Sequence, residues 1–499
     1  MGFSFEVKES DLLGRLGTMR VRGKTLQTPC LLPVIHPVSQ AVPPSELRAI
    51  GFEGLMTNSY ILSSRRRDEA VSEGIHRLLG YDGVLMTDSG GYQVLQYGDL
   101  DVDYRQVASF QADIGSDFGV TLDRPTGYPQ TSSVAKQTME YSRKNAIATL
   151  AEFGNRETVW VGPVQGGLYL DQVKRSASSM VKAGFEFLAL GSPVQVMQNY
   201  MFADLVRMIL AVRKAVPYSV PIHLFGAGHP LTMALAVALG CDTFDSASYI
   251  LFARKGKYMS RSGVTSLESM KFLSCSCPVC AKSTVKGLLE LDHAEKTRML
   301  ALHNLYVLKD EVEACKEAIA QGRLWDLVEE RSMAHPRLRE AFEEMTKHVE
   351  LLGEGTPAVK DRGLFIRSRE DLIRPEILIA RRRLGGALQR GSERATVSVA
   401  SEEKGRLPPS RGRKDRRSAD SYRIHPVLGL HPAELEFVYP FSQSVVAEGI
   451  EENLNPRGVS ASLRKMGYRS VSFIDKGQRK GKVRSTRSLR GASPSARSS

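Results

Sequence analysis

The sequence predicts an α/β protein built around a (β/α)8 TIM barrel, and three observations lead to that prediction. Short apolar segments that suit buried parallel strands recur eight times between residues 31 and 248. Amphipathic segments of helical period separate them, as at 132–153 and 170–184. Eight such units in roughly 250 residues match the usual size of this barrel. The predicted strands are residues 31–37, 54–60, 83–90, 118–126, 158–167, 185–192, 221–230 and 241–248.

An open, doubly wound sheet is the alternative arrangement for alternating strands and helices. Such a sheet more usually carries a glycine-rich phosphate-binding turn after its first strand. The first predicted strand instead continues as "LLPVIHPVSQ", residues 31–40, which contains no glycine. The barrel is therefore the favoured prediction.

Polar residues stand where the predicted strands end. In a barrel, functional side chains gather at the carboxyl ends of the strands. A single aspartate after a strand is more often a helix N-cap or turn residue than a catalyst. Three aspartates from separate strands that meet at one mouth favour chemistry instead. The polar residues at the strand ends are Asn58, Asp88, Asp123, Gln165, Ser192, His229 and Asp245.

The segment "FLSCSCPVCAKSTVKG", residues 272–287, places Cys275, Cys277 and Cys280 within six positions. Disulfides between them would close loops of one or two residues and would be strained. Thiolates at C-x-C-x-x-C spacing are instead typical of a tetrahedral zinc site. Either His293 or His303 could supply the fourth ligand. Four protein ligands would leave no open position for water, which indicates a structural metal.

The remaining sequence predicts several further regions. Residues 292–330 have the pattern of one long helix, and residues 421–475 regain apolar and aromatic content after a polar stretch. The predicted organisation is a catalytic barrel at 1–345 with a zinc subdomain at about 272–306, a helical extension at 346–385, a basic disordered linker at 386–420, a small C-terminal α+β module at 421–475 and a basic disordered tail at 476–499.

The net charge of +13 lies in two polar stretches. Residues 381–420 carry a net +7 and residues 476–499 a net +8, so the rest of the chain sums to −2. Such runs serve either as solubilising tails or as flexible arms that bind a polyanion such as nucleic acid. Six cysteines without a signal-peptide-like N-terminus, and no apolar run of about 18 residues, predict a cytoplasmic protein outside the membrane.

Several motifs, taken in order, resemble the tRNA-guanine transglycosylases of the archaeal, archaeosine-forming kind. The resemblance is dense from about Gly14 to Tyr306 and extends to "YPFSQSVV" near residue 439. The motifs are "MTDSGGYQVLQYGD" (86–99), "PVQGG" (163–167), "LALGS" (188–192), "GCDTFDSASYILFARKGKYM" (240–259) and the C-x-C-x2-C segment followed by His303.

The resemblance implies a base exchange in tRNA that leaves the phosphodiester chain intact. Asp245 would be the nucleophile that attacks ribose C1′, and Asp88 would be the general acid/base. Tyr92 would stack on the base, while Asp123 and Gln165 would hydrogen-bond its edge. Backbone amides near Gly191 and Ser192 would complete recognition of the base.

The resemblance also implies metal and phosphate contacts. It selects His303 as the fourth zinc ligand, because the family places its histidine just before an Asn-Leu pair and "HNL" begins there. One structural Zn²⁺ per chain would then be held by Cys275, Cys277, Cys280 and His303. The end of "YILFARKGKYM" offers Arg254, Lys255 and Lys257 for tRNA phosphates, although a solvated turn explains them almost as well.

The archaeal kind transfers preQ0, 7-cyano-7-deazaguanine, in exchange for guanine at position 15 of the D-arm. Relatives commonly form homodimers through the zinc region and end in a PUA domain that binds the acceptor stem. This chain departs from that pattern, because the tail that follows residue 475 is too short and too polar for a PUA fold. A separate PUA-domain protein or the basic tail would then supply that affinity. A non-catalytic tRNA-binding paralogue and an enzyme that inserts 7-deazaguanine into DNA are the alternatives.

Overall fold

The computed structural model describes residues 2–91, 103–388, 390–399, 419–450 and 456–474. The described residues up to Gly363, together with Arg369–Ile379, form one compact unit. Leu364–Ser368 and the described residues from Ala380 onward form a second unit. Each unit is described separately below.

The first unit contains a closed barrel of eight parallel strands, which confirms the predicted (β/α)8 fold. All eight predicted segments contribute one strand each, and the observed strands are shorter than the predicted ones. Around the barrel the strand order is β10-β11-β4-β5-β6-β7-β8-β9. The barrel strands are β4 (Cys30–Ile35), β5 (Gly54–Asn58), β6 (Val84–Asp88), β7 (Phe118–Val120), β8 (Val159–Val164), β9 (Leu188–Leu190), β10 (Ile222–Leu224) and β11 (Thr243–Ser246).

The barrel strands are mostly apolar away from their carboxyl ends, because both of their faces are buried. Successive side chains point to opposite faces of a strand. Leu55 and Leu85 therefore pack in the cluster that includes the surrounding helices, whereas Met56 and Met86 pack in the interior cluster. Because both sets of alternating side chains are buried, the strands read as the apolar runs from which they were predicted.

A three-stranded antiparallel sheet precedes the barrel and contributes to its interior. It consists of β1 (Ser4–Asp11), β2 (Gly14–Val21) and β3 (Lys24–Thr28). Met19 and Leu26 from this sheet join the interior cluster of the barrel. The ring of Phe3 lies 5.7 Å from that of Phe118, at the amino-terminal end of β7. The sheet therefore lies toward the end of the barrel opposite the predicted mouth.

Helices surround the barrel and continue beyond it. Helix α1 is Pro44–Ile50, and the others are α2 (Ser59–Arg65), α3 (Arg67–Glu73), α4 (Ile75–Leu79), α5 (Tyr104–Asp113), α6 (Ser132–Phe153), α7 (Leu170–Ala183), α8 (Pro193–Gln198), α9 (Phe202–Arg213), α10 (Pro230–Ala238), α11 (Ser248–Arg254), α12 (Val285–Glu290), α13 (His293–Ala320), α14 (Leu324–Ser332), α15 (Pro336–Thr346), α16 (Val349–Leu352) and α17 (Pro375–Ala387). A two-stranded hairpin of β12 (Lys257–Ser260) and β13 (Gly263–Ser266) precedes the cysteine segment.

The single long helix predicted over 292–330 is in fact two helices, α13 and α14. Gly322 adopts a φ of +64°, in the left-handed region that favours glycine and that commonly ends a helix. The amide of Arg323 donates to the carbonyl of Ala318 at 2.7 Å across this turn. The prediction was wrong here because the helical period continues on both sides of the glycine.

The second unit is a small β module with one packed helix, as the sequence predicted in outline. Its four-stranded sheet has the order β17-β16-β15-β19, and a separate parallel pair is formed by β14 and β18. Val397 and Leu463 are fully buried in its core. The elements are β14 (Leu364–Ile366), β15 (Arg394–Val399), β16 (Asp420–His425), β17 (Gly429–Pro432), β18 (Ser444–Val446), α18 (Pro456–Lys465) and β19 (Ser470–Ile474).

One part of the predicted linker has regular structure. Strand β15 lies inside the stretch 386–420, which we expected to be disordered, and it pairs with both β16 and β19. Alternating apolar residues in "RATVSV" carry the strand signal, and the charged residues that flank it obscured that signal. None of the helices in the described ranges is long and apolar enough to cross a membrane.

Candidate active site and metal centre

The polar residues predicted at the strand ends lie at the carboxyl edge of the barrel. Asn58 and Asp88 are the last residues of β5 and β6, and Asp245 is the penultimate residue of β11. Asp123, Gln165 and Ser192 follow β7, β8 and β9 within three residues. Since parallel strands end on the same side of a barrel, these side chains share one mouth.

The carboxyl group of Asp88 is held by neighbouring strand ends. Its Oδ2 accepts a hydrogen bond of 3.0 Å from Nδ2 of Asn58. The same Asn58 caps helix α2, since its Oδ1 accepts from the amide of Ile61 at 2.9 Å. Burial, together with the charges of Asp123 and Asp245, raises the pKa of Asp88 to about 7. Asp88 can therefore exchange a proton near neutral pH.

The carboxyl group of Asp245 is fixed from the adjoining strand. Its Oδ1 accepts hydrogen bonds from Nε2 of His223, at 3.0 Å, and from the amide of Gly226, at 2.8 Å. Asp245 is only 8% exposed. The side chain is thus oriented by two donors and has little access to bulk water.

Asp123 belongs to a continuous polar network across the four loops that follow β6, β7, β8 and β9. Its Oδ2 accepts from Nε2 of Gln165 at 2.6 Å, and its Oδ1 accepts from Oγ of Ser89 at 3.1 Å. Oε1 of Gln165 accepts in turn from Oγ of Ser192, at 2.7 Å, and from the amide of Thr126. Burial raises the pKa of Asp123 to about 6. A carboxylate has about four lone-pair sites, so Asp123 can still accept from a bound N–H edge.

Two glycines allow this network to be so closely packed. A side chain at Gly91 would collide with the carboxylate of Asp123, and one at Gly191 would collide with the carboxamide of Gln165. The amide of Gly191 donates to the carbonyl of Val164 at 2.9 Å. A contact from this amide to a bound base would therefore have to share that hydrogen bond.

The structure gives His229 a capping role, and it does not describe Tyr92. His229 caps helix α10 through Nδ1, which accepts from the amide of Leu231 at 3.3 Å, and burial lowers its pKa to about 4. The N-cap explanation therefore accounts for His229. Tyr92 lies outside the described residues.

The three cysteines and His303 converge on one point. Their four ligand atoms all lie within 4.8 Å of one another. Nδ1 of His303 is 3.5 Å from Sγ of Cys277 and 3.4 Å from Sγ of Cys280. Tetrahedral zinc bonds of about 2.0–2.3 Å would separate ligand atoms by roughly 3.5 Å, so the donor set fits a metal ion. His293 is not part of the cluster.

The histidine of this cluster is oriented by groups around it. Its Nε2 donates to the carbonyl of Met259 at 2.9 Å, which leaves Nδ1 free to face the sulfurs. The ring of Tyr258 stacks on that of His303 with centroids 3.7 Å apart. Asn304 accepts from the amide of Met259 at 2.9 Å and donates to the carbonyl of Tyr249 at 3.1 Å. The cluster therefore connects α13, β12 and α11.

Basic residues surround one side of the mouth. Arg254 and Lys255 are exposed, and Lys257 is half-buried. Burial, followed by the charges of Arg254 and Arg65, lowers the pKa of His36, which follows β4. Arg65 ends helix α2, and it is exposed as well. Arg254, which follows β11, and Arg65, which follows β5, therefore both lie near the end of β4 at this rim.

Sequence reasoning missed several residues of this mouth. His223 and Gly226 orient Asp245, and Ser89 supports Asp123. A histidine inside an apolar strand such as "PIHLF" was itself a signal, because a buried imidazole needs a hydrogen-bond partner. Arg65 carried no signal, because its position near His36 depends on the closed barrel.

Comparison with known proteins identifies the family of this chain. The sequence profile of the family described as Queuine tRNA-ribosyltransferase matches residues 10–337. A Sulfolobus acidocaldarius protein named tRNA-guanine(15) transglycosylase is 36% identical over 478 residues, which cover 94% of this chain and 95% of that protein.

Two further relatives carry the same name. The Methanopyrus kandleri protein is 38% identical over 459 residues, which cover 92% of this chain and 98% of that protein. The Aeropyrum pernix protein is 42% identical over 376 residues, or 75% of this chain and 73% of that protein. The chain therefore belongs to the queuine tRNA-ribosyltransferase family of tRNA-modifying transferases, as its motifs predicted.

Proposed function

We propose that this protein exchanges guanine at position 15 of the tRNA D-arm for 7-cyano-7-deazaguanine through a covalent aspartyl-ribosyl intermediate. The observation that supports this best is that the carboxyl groups of Asp88 and Asp245 lie at one barrel mouth. Asp245 is close enough that its charge contributes to the raised pKa of Asp88. A pair of carboxyl groups in which one is oriented and the other titrates near 7 suits nucleophilic and acid/base roles.

In the first half of the reaction, the Asp245 carboxylate attacks C1′ of the ribose. The bond from C1′ to N9 of guanine breaks, and its electron pair remains on the base. Protonated Asp88 transfers its proton to the departing guanine. The ribose is then joined to Asp245 as an ester-like glycosyl-enzyme, as in retaining glycosidases. The target nucleotide must first leave the stack, because C1′ of a stacked residue cannot reach a buried carboxylate.

In the second half, the incoming 7-deazaguanine loses its N9 proton to the Asp88 carboxylate. N9 attacks C1′, the bond between C1′ and Asp245 breaks, and its electrons return to the carboxylate. Asp88 is thereby protonated again for the next cycle. The pKa of about 7 places both protonation states of Asp88 within reach at neutral pH.

The network around Asp123 supports the proposed recognition of the base. A carboxylate that accepts from an N–H and an NH2 group fits the amino-pyrimidine edge of guanine and of its 7-deaza analogue. Gln165 has a second amide hydrogen beyond the one donated to Asp123, and this hydrogen could reach a base carbonyl. Ser192 holds the Gln165 carboxamide in place at 2.7 Å.

The basic rim supports binding of the tRNA backbone. Arg254, Lys255 and Lys257 were proposed from the sequence, and the structure adds Arg65 at the same rim. Exposed cations that neutralise phosphates release the counterions of the nucleic acid, which favours binding. The basic tail at 476–499 would add affinity that depends strongly on salt concentration.

The Cys3His cluster is proposed to hold a structural Zn²⁺. Three sulfur donors and one imidazole are the ligand chemistry that zinc favours in closed, tetrahedral sites. When bound, the ion would fix helix α13 against the cysteine segment. The chemical steps above do not require it.

Incubation with radiolabelled guanine tests the proposal. We expect label to enter unmodified tRNA, to be displaced by 7-cyano-7-deazaguanine, and to be absent from a tRNA whose nucleotide 15 is adenosine. Label in duplex DNA would instead support the DNA-modifying alternative. Binding of tRNA without incorporation would support a non-catalytic paralogue, and either result would overturn the proposal.

A further inference from the structure

Both hydrogen bonds that reach the carboxyl group of Asp245 fall on one of its two oxygens. Nε2 of His223 and the amide of Gly226 both donate to Oδ1, at 3.0 and 2.8 Å. Across the part of the chain that the structure describes, no side chain or amide donates to Oδ2. The two oxygens of this carboxyl group are therefore inequivalent.

The His223 ring is held in one orientation and one tautomer. A carboxylate only accepts hydrogen bonds, so Nε2 must carry the hydrogen that points to Asp245. Nδ1 then lies 2.8 Å from Oγ1 of Thr243, whose hydroxyl can donate to it. The imidazole is fully buried, and the ring of Phe225 stands edge-on with its centroid 5.0 Å away.

We infer that His223 is a positioning residue that, with Gly226, occupies Oδ1 of Asp245 and leaves Oδ2 as the atom that attacks C1′. This inference rests on the proposed base exchange. The Thr243 hydroxyl holds the ring from its other side, through Nδ1. Because one oxygen is saturated by two donors, rotation of the carboxylate would break both bonds, and Oδ2 stays directed into the mouth.

The same two donors act in the second half of the reaction. In the glycosyl-enzyme, Oδ1 is the carbonyl oxygen of the ester. When the bond between Oδ2 and C1′ breaks, negative charge returns to the carboxylate, and the donors on Oδ1 stabilise it. We therefore expect His223 to affect the chemical rate rather than the binding of tRNA or guanine.

Two amide substitutions separate this role from that of an ordinary buried histidine. In His223→Gln the amide nitrogen can reach the place of Nε2, whereas in His223→Asn it reaches only the place of Nδ1. Both variants keep a polar amide at the same buried position. The measured quantities are kcat and KM for guanine exchange into tRNA, together with the Kd for tRNA.

We expect His223→Asn to lower kcat about 100-fold and His223→Gln to recover most of that loss, with KM for guanine and the Kd for tRNA unchanged in both. Equal losses in the two variants, or an unchanged kcat in His223→Asn, would overturn the inference. Should the wild-type protein itself fail to incorporate guanine, the proposed function fails instead, so the two failures are distinguishable.

A third variant covers the case in which both His223 variants unfold. Thr243→Val is nearly isosteric and removes only the hydroxyl that faces Nδ1. We expect a folded protein, judged by thermal unfolding, whose kcat falls roughly tenfold while its Kd for tRNA is retained. A folded Thr243→Val protein with wild-type kcat would contradict the orientation of the His223 ring by Thr243 and the positioning role that depends on it.

Discussion

Asp88 and Asp245 lie at the carboxyl ends of barrel strands that are separated by two others, β4 and β5, yet the charge of Asp245 contributes to raising the pKa of Asp88 to about 7. More than 150 residues of sequence lie between the two carboxyl groups. The barrel brings them to one mouth, because every parallel strand delivers its carboxyl end to the same side.

The substitution Asp88→Asn should stabilise the fold at high pH. Because the native pKa of Asp88 is raised from 3.8 to about 7, the native state binds a proton more tightly than the unfolded chain. Stability is therefore lost as pH rises from about 4 to 7. We expect Asp88→Asn to gain up to about 4 kcal/mol over wild type at pH 8, and the gain to shrink toward pH 4.

Urea unfolding at several pH values measures this difference. Asp171→Asn is the matched control, because the Asp171 side chain is 98% exposed and should show little pH-dependent change. A gain in Asp88→Asn that does not vary with pH would contradict the raised pKa. Since Asp88 is the proposed acid/base, the variant should also lose base exchange by 100-fold or more, at about the scale of general acid–base catalysis.

Asp123→Asn should weaken binding of the free base without affecting tRNA. The substitution removes the charge that would accept from the amino-pyrimidine edge and disturbs the 2.6 Å bond from Gln165. A hydrogen bond to a charged group is worth about 1.5–3 kcal/mol, so KM for guanine should rise about 10- to 100-fold. Ser89→Ala removes only a supporting hydrogen bond and should raise KM less. An unchanged KM for guanine in Asp123→Asn would show that Asp123 does not take part in base recognition.

Cys277→Ala should lower metal content and stability together. Its sulfur is one of the four ligand atoms of the Cys3His cluster. Loss of one ligand would open the tetrahedral site and weaken metal binding. Cys315→Ala is a matched control, since Cys315 is a buried free cysteine on the same helix as His303 but outside the cluster. Zinc analysis should give about one ion per chain for wild type and Cys315→Ala. A full zinc complement in Cys277→Ala would refute the ligand assignment.

Arg254→Gln and Arg65→Gln should each weaken tRNA binding and reduce its dependence on salt. Each phosphate contact removed should lower the slope of log K against log salt by roughly 0.7–0.9. Arg337→Gln serves as a control, because Arg337 is already paired with Glu340 at 2.8 Å on α15. Filter binding at several salt concentrations gives the slopes. Slopes equal to wild type in both rim variants would place the tRNA backbone elsewhere.

The sequence predicted the barrel and the polar residues at its mouth because both leave local signals. Apolar runs mark strands buried on two faces, and the residues that follow each run, such as Asp88 and Gln165, reach the mouth by topology alone. The cysteine spacing indicated the metal cluster before its fourth ligand was known. His303 was selected by resemblance, and the structure brings it to the three sulfurs.

The features that the sequence did not predict depend on contacts between distant parts of the chain or on a single residue. The positioning of Asp245 by His223 requires the register of β10 and β11, in which His223 pairs with Thr243. The break at Gly322 depends on one left-handed residue inside a continuous helical pattern. Strand β15 is stabilised by two neighbours that come from later in the chain, so its short apolar alternation was not sufficient to predict it.

The most direct test of the account is to trap the covalent intermediate. Wild-type protein mixed with tRNA and denatured during turnover should carry tRNA that is resistant to detergent and attached at Asp245. Asp245→Asn should bind tRNA with a similar Kd and form no such adduct. An adduct of normal yield in Asp245→Asn, or one mapped to a different carboxylate in the wild type, would contradict the account.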